Sequence, residues 1–358
     1  MEKDIETIRN EIDAVDNELL RLIQKRCELS LEMGRIKHRD NLNTFDPSRE
    51  ASIIERLFSA VRPPVTKVLV ERLFTEIFSF SRSLQEKKKI AYLGPEGSYS
   101  HQAAHMVFGQ DSDLLPQKDI ETVITEVMTR QAELGVVPVE NSSEGMINRT
   151  LDMMADSRLF VCQEIMLPIR NCLLSAEAME NIRKVYSHPQ ALAQCRNWLM
   201  NNLPGVQTVE SPSTSLAALA ASREGHSAAI ASSLAAELYG LTVLAENIND
   251  RQENITRFWV IAREPAPIVG KAKTSIIVTL ENVPGALYDA IGVFARKEIN
   301  LTKIESRPSK KSPWEYMFFI DFQGNLQDEK VRAAMEEIKS FTREVITLGS
   351  YPEGRVLD

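Results

Sequence analysis

Several groups of side chains in this sequence have the types and spacing to do chemistry. Ile5, Ile8, Ile12, Val15, Leu19 and Leu22 repeat three and four residues apart, and the register continues through position 26 to Leu29, Met33 and Ile36. Arg26 therefore stands where a helix places an apolar side chain. A guanidinium there needs a carboxylate or a comparable partner. It is either a structural salt bridge to Glu28, Glu32 or Glu50, or part of an anion site. Arg9 and Lys37 share one heptad position, 28 residues apart, which is ~42 Å along one helix. They cannot reach one small ligand from the same chain, whereas Arg26 and Lys37, ~16 Å apart, can converge. Arg9 can join them only from an antiparallel partner chain. Ser81 and Gln85, at i and i+4, continue the apolar face of a later helix and read as cavity lining or as an exposed edge.

Further along, GPEGSYSHQAA (94–104), ENSSEG (140–145) and SPSTS (211–215) each place glycines or hydroxyls where a helix begins. Free N–H groups at such ends bind anions. Any one of them is an ordinary cap; three in one region point to a carboxylate-rich substrate. NITRF (254–258) sets Thr256 and Arg257 at a strand start. Arg257 there either clamps a carboxylate or makes a surface salt bridge. His188, at a strand end, is a titrating helper or a structural residue. Pro284-Gly285 opens a helix whose N–H groups suit an amino-acid carboxylate, or is a plain turn.

Three regimes position these residues. Residues 1–86 hold a single glycine, Gly34, and no strand pattern. They predict a long helix to about Asp40, a second helix capped by Asp46-Pro47 and ending near Val61, and a third from Val65 to Glu86. After Lys87-Lys88-Lys89, strand patterns (IAYLG, LGVVPVE, KVYSH, VQTVES, AAIAS, RFWVIAR) alternate with helical ones. This predicts a mostly parallel sheet, in a span long enough for two lobes and a cleft. REPAPIVGKAK (263–273) reads as a linker across which few contacts pass. The rest follows βαββαβ order in about 80 residues, a ferredoxin-like unit.

Composition narrows the classes. The 358 residues carry 42 Lys+Arg and 50 Asp+Glu, a net charge of −8 that argues against a nucleic-acid partner. Hydrophobic residues make up 43%, which argues against a mostly disordered chain, and no run of 18 apolar residues spans a membrane. The polar start, MEKDIETIRNEID, is unlike a secretory leader. The four cysteines form no CxxC pair and suit a reducing cytoplasm. The five histidines show no metal-binding spacing, and no cofactor is called for.

IRNEID, VDNELL, LIQKRCELS, MGRIK, FDPSRE and SRSLQ together resemble the all-helical chorismate mutases, which are intertwined dimers. The resemblance implies that Arg26, and Arg9 from the partner chain, hold the substrate carboxylates, with Arg49 as a further cationic contact or support. Lys37 and Gln85 would bond the ether oxygen, Glu50 the ring hydroxyl, and Asp46 and Ser81 would complete the pocket. GPEGSYSHQAA, VVPVENSSEG, SHPQALAQC, IASSLAAELYGL and NITRF resemble prephenate dehydratase over nearly its whole length. That implies a two-lobed fold like periplasmic binding proteins, with Thr256 essential and Arg257 on a carboxylate. Glu140, Asn141, Ser142, Ser215 and Phe258 would complete the cleft. Gly285, Ala286 and Leu287, with Glu305, Ser306, Arg307 and Pro308, resemble the amino-acid-sensing motifs of ACT domains.

The domains expected are 1–88 (mutase), 89–266 (dehydratase) and 274–351 (ACT). The whole then resembles a bifunctional enzyme of phenylalanine biosynthesis. It would act on chorismate and prephenate, be inhibited by L-phenylalanine, and form a homodimer or a higher homo-oligomer in the cytoplasm. Two rivals are a mutase fused to a non-catalytic sensing module, and a purely regulatory amino-acid sensor.

Overall fold

The computed structural model describes residues 4–40, 42–109, 112–251, 253–268, 270–308, 315–354 and 356. The heptad stripe forms α1 (Ile5–Arg39), whose first turn is capped by the Asp4 carboxylate accepting from Thr7 N–H at 2.7 Å. Asp46 caps α2 (Pro47–Ala60) through Arg49 N–H, with Pro47 in the first turn, where a missing N–H costs nothing. Thr66 caps α3 (Lys67–Gln85). The three helices and their caps match the expectation to within a turn.

Among the described residues of α1, burial begins at Arg26, in the second half of the helix. It crosses α3 at Gly34, where an added Cβ would stand 3.0 Å from Gln85 Cα, so glycine is what lets the two backbones approach. From Asp4 to Lys25 every residue is exposed, including Ile5 (71%) and Leu19 (52%). An apolar stripe ~33 Å long stands open on this helix.

The second region comprises β1 (Lys89–Leu93), α4 (Tyr99–Phe108), β2 (Asp113–Gln117), α5 (Ile120–Met128), β3 (Leu134–Asn141), β4 (Gly145–Met146), α6 (Asn148–Ser157) and β5 (Phe160–Pro168). It continues with β6 (Cys172–Ser175), β7 (Lys184–Ser187), α7 (Pro189–Gln194), α8 (Arg196–Asn202), β8 (Gln207–Glu210), α9 (Thr214–Ala221), β9 (Ser227–Ala231), α10 (Ser233–Tyr239), β10 (Thr242–Ala245) and β11 (Ile255–Ala262). Two sheets result, ordered β2-β1-β3-β11-β5 and β10-β6-β9-β7-β8.

The expected mostly parallel sheet is not what forms. In the first sheet β1 runs parallel to β2 and β3, but β11 is antiparallel to both its neighbours; in the second, β6 is antiparallel to β9 and β10. The chain leaves the first lobe after β5, builds the second, and returns as β11. A returning strand enters against the local direction. The two crossing segments are bonded together, Ile169 N–H to Asn254 O at 2.7 Å and Ile248 N–H to Asn171 O at 2.9 Å.

The third region is β12 (Ala272–Leu280), α11 (Ala286–Arg296), β13 (Leu301–Pro308), β14 (Tyr316–Gln323), α12 (Glu329–Ile338) and β15 (Glu344–Pro352). Its sheet, β13-β14-β12-β15, is antiparallel throughout, as a βαββαβ unit requires. One face packs on α11 and α12 around Phe294 and Phe322. The other contributes Ile277, Phe319, Leu348 and Tyr351 to one apolar cluster with Trp259 and Ile261 of β11. The sparse boundary expected at residues 263–273 is therefore replaced by a shared core, because β11 is too apolar to leave either face in water.

Candidate functional site

Within the helical region the structure brings Arg26 and Ser81 into hydrogen-bond contact, with the guanidinium 5.4 Å from the Phe78 ring centroid. Burial lowers the Arg26 pKa, opposed by Cys27 and Glu50. Lys37 and Gln85 line one cavity of about 680 Å³ with Thr44 and Lys88. Lys37 Nζ reaches the Thr44 carbonyl at 3.4 Å, while the buried Gln85 Oε1 has no hydrogen-bond partner among the described residues. A buried amide oxygen without a partner marks a ligand or water position.

Glu50 is elsewhere. It pairs with Arg82 and lines a second cavity of about 410 Å³ with Phe78, Arg72 and Gln163. Arg82 was not anticipated; the signal was its place on α3 between Ser81 and Gln85. Asp46 caps α2, Arg49 is exposed, and Arg9 lies on the uncovered half of α1.

In the two-lobed region β3 and β11 lie side by side, with Asn141 opposite Thr256 and Glu140 opposite Arg257. Successive strand residues face opposite sides, and a bulge follows Arg257. Thr256 and Asn141 share one face, where Asn141 Nδ2 donates to Thr256 Oγ1 at 2.8 Å. Ser142 Oγ donates to the Glu253 carbonyl and accepts from Ile255 N–H. Ser215 bonds across from the second lobe to the Glu96 carbonyl, and Ser232 to the Gly97 carbonyl at 2.9 Å. Gly97 has φ +78°, and a Cβ there would meet Ser215 Oγ at 2.9 Å, so this lobe contact needs a glycine. Phe258 is core beneath the same face. His188 caps α7, its Nδ1 accepting from Gln190 N–H, in keeping with a structural role.

Arg257 and Glu140 are not brought to that face. Arg257 points into the third region, 2.7 Å from Asp321 and 3.1 Å from the Tyr351 hydroxyl, with Glu164 at 2.5 Å. Burial alone would lower its pKa; Tyr351, Asp321 and Glu164 outweigh that and raise it. Glu140 pairs with Lys303 and stands 4.0 Å from Arg257. The two residues expected on the substrate instead tie the cleft strands to the third region.

Glu164 is the keystone of this cluster, accepting from both Lys273 Nζ (3.0 and 2.9 Å) and Gly354 N–H (2.8 Å). Burial alone would raise its pKa, but Arg257 and Lys273 bring it below the ordinary value of 4.5. A lowered carboxylate pKa adds stability above the ordinary value that is lost as pH falls below it. Glu164→Gln should therefore cost about 3–5 kcal/mol near neutrality, by taking from Lys273 its carboxylate and leaving Arg257 with Asp321 as its near one. Denaturant titrations of both proteins from pH 7 to pH 3 should show the difference shrinking with acid. A constant difference would refute the charge assignment.

In the third region Gly285 (φ +88°) precedes α11, which has no side-chain cap. Ala286 and Leu287 begin the helix and pack partly on its core. Along β13 the side chains alternate: Glu305 and Arg307 are half-buried, while Ser306 and Pro308 are exposed. Arg307 Nη2 lies 3.3 Å from Asp152 of α6, committed to the middle region.

With this geometry in hand, known proteins can be set beside it. Residues 8–86 match the chorismate mutase type II family, 90–266 the prephenate dehydratase family, and 274–340 the ACT domain family. The bifunctional chorismate mutase/prephenate dehydratase of Aquifex aeolicus (strain VF5) is 44% identical over 356 residues, covering 98% of both chains. Among solved structures, the prephenate dehydratase from Arthrobacter aurescens in complex with L-Phe is 32% identical with a TM-score of 0.68, over 74% of this chain and 90% of that one. GqqA, described as a novel type of quorum quenching acylase, is 30% identical with a TM-score of 0.68, over 74% of this chain and 98% of that one. The helical, two-lobed and βαββαβ units, in this order and matched end to end by such a relative, make the chain a member of the bifunctional chorismate mutase/prephenate dehydratase family.

Proposed function

We propose that the two reactions are divided between the Lys37–Gln85 cavity and the Thr256–Asn141 face, and that the observation carrying the second assignment is the 2.8 Å bond that makes Thr256 Oγ1 an acceptor. With its lone pair engaged by Asn141, the hydroxyl keeps its proton to donate. Prephenate loses its ring carboxylate as CO2, the C–C electron pair enters the ring, and the ring hydroxyl leaves and takes a proton to become water. Thr256 O–H donates to that leaving oxygen. Aromatisation supplies the driving force, so donor placement is what the protein adds.

In the mutase step the C–O ether bond breaks as a C–C bond forms, with no acid, base or nucleophile needed. Arg26 and, from a second chain, Arg9 hold the two carboxylates of chorismate in the folded conformer. Lys37 and Gln85 donate to the ether oxygen as it gains charge. Ser81 holds the Arg26 guanidinium, whereas Glu50, paired with Arg82 in the neighbouring cavity, Asp46 at the α2 cap and the exposed Arg49 lie outside the Lys37–Gln85 cavity and are assigned to its support from α2. The open stripe of α1 is read as the seam of a homodimer, since an apolar helix face this long does not persist in water. All four cysteines are free, which suits a cytoplasmic enzyme. Among the described residues no helix is long and apolar enough to cross a membrane. One purified sample, assayed for chorismate consumption and for phenylpyruvate formation, tests the reading. Mutase activity alone would favour the sensing-module alternative.

L-Phenylalanine is assigned to the start of α11, with Gly285 and Leu287 offering N–H groups to its carboxylate, Ala286 N–H being bonded to the Val283 carbonyl, and Glu305 to Pro308 nearby in the same unit. Gly285→Val forces a β-branched residue into positive φ and crowds the ligand. The expected result is an enzyme that turns over prephenate but loses the roughly 5–150-fold change in affinity typical of such coupling. Calorimetric titration of phenylalanine with and without a non-reacting prephenate analogue measures the coupling. Unchanged inhibition in Gly285→Val would remove the site from α11. Truncation near Lys271 is a poorer test, because it uncovers Trp259 and Ile261.

A further inference from the structure

The two lobes of the second region meet on one peptide. The unit joining Glu96 to Gly97 is the middle of a four-residue turn, closed by Ser98 N–H donating to the Pro95 carbonyl at 3.2 Å. Gly97, at φ +78°, is the third residue of that turn, as a type II turn requires. The Glu96 carbonyl faces the second lobe, where it accepts from the Ser215 hydroxyl and, at 3.3 Å, from the Tyr239 hydroxyl. A trans peptide points its N–H the opposite way. That N–H, of Gly97, donates to His101 Nδ1 at 2.9 Å in the first lobe. The imidazole is buried and stacked on the Tyr92 ring, with centroids 4.9 Å apart. A type I turn holds the same peptide inverted, and glycine reaches the negative φ that form needs. Inversion would aim the Glu96 carbonyl at His101 and take it from Ser215 and Tyr239. Which form is kept depends on whether Nδ1 offers a lone pair or a proton.

We infer that His101 is a positioning residue for the dehydratase reaction: its Nδ1 lone pair holds the Glu96–Gly97 peptide with the carbonyl toward the second lobe, so that the lobes close over the substrate, and a proton on Nδ1 releases them. The inference rests on the dehydratase reading given above, with prephenate held between the lobes. Closure of that kind completes a site and sequesters the reaction from water. The groups facing the imidazole are Tyr92 on β1, His105 on its own helix and Glu96 in the turn, with Tyr239 across the lobes. Arg72 of α3 and Glu237 of α10 line a cavity with His105, one turn further along. Burial and His105 lower the His101 pKa from the ordinary 6.5, against Glu96. The neutral, closed form is therefore present at neutral pH and lost as pH falls below that value.

The test uses the full-length chain with prephenate as substrate, and mutase activity as the check on folding. Asparagine Oδ1 stands where His Nδ1 does along the side chain, whereas glutamine Oε1 stands one bond further out. His101→Asn should therefore stay within about tenfold of the wild-type kcat/KM. His101→Gln and His101→Leu should each lose about 100-fold, as a misplaced group does, with kcat and KM both affected. Between pH 4 and pH 8 the wild type should show an acid limb that His101→Asn lacks, because an amide does not titrate. Equal kcat/KM in His101→Asn and His101→Gln overturns the inference. So does the same acid limb in the wild type and in His101→Asn. If His101→Leu does not fold, the comparison of the asparagine and glutamine variants decides. No phenylpyruvate from the unaltered chain would overturn the dehydratase reading itself. Phenylpyruvate formed equally fast by the unaltered chain and by His101→Gln would overturn only the part given to His101.

Discussion

A Thr256→Ala enzyme is expected to convert chorismate to prephenate at the wild-type rate and to stop there. Thr256 is 8% exposed. Removing one donor costs about 10²–10³ in kcat in a water-excluded site. The fold should hold, because the lost partner is one of two acceptors of Asn141 Nδ2 and the other, Asn254 Oδ1, remains. Thr256→Ser keeps the hydroxyl and should recover much of the rate. Following both products by absorbance in a single time course separates the steps. Phenylpyruvate formation within tenfold of wild type would remove Thr256 from the chemistry.

Mixing two inactive mutases should restore activity. Arg9→Ala and Lys37→Ala each delete a charge assigned to one pocket, and each should lower mutase kcat/KM by about 10²–10³. On one helix the two positions are ~42 Å apart, and the Arg9 half of α1, from Asp4 to Lys25, is exposed throughout. In a twofold dimer with shared pockets, a heterodimer holds one site with both charges and one with neither, so about one working site in two returns. Mixing with subunit exchange confirmed by mass, followed by the chorismate assay, gives the answer. Heterodimers with no recovered activity would refute the shared pocket.

Much of this was legible in the residues. The heptad stripe and the Asp46-Pro47 cap define α1 and α2, because helix periodicity and capping are local. The βαββαβ unit was legible for the same reason. The direction of β11 was not, since it follows from where the chain re-enters a sheet, and a strand carries no local mark of its neighbours' direction. The placement of Arg257 and Glu140 was misjudged although the sequence held the signal. Thr256 and Arg257 are adjacent, as are Glu140 and Asn141, and a two-residue period sends adjacent side chains to opposite faces.

The strand order β2-β1-β3-β11-β5 also bears on how the chain is made. β3 and β5 flank a slot that is filled only by β11, which begins at Ile255, long after β5 ends at Pro168. At typical translation speeds that slot stays open for roughly 4–17 s. During that interval the nascent first lobe presents two unpaired strand edges, the kind of surface that recruits other chains. The species most prone to aggregate is thus the half-built sheet on the ribosome rather than the finished enzyme, and yield in a foreign host should respond to slower initiation and co-expressed chaperones more than to added stability in the folded protein.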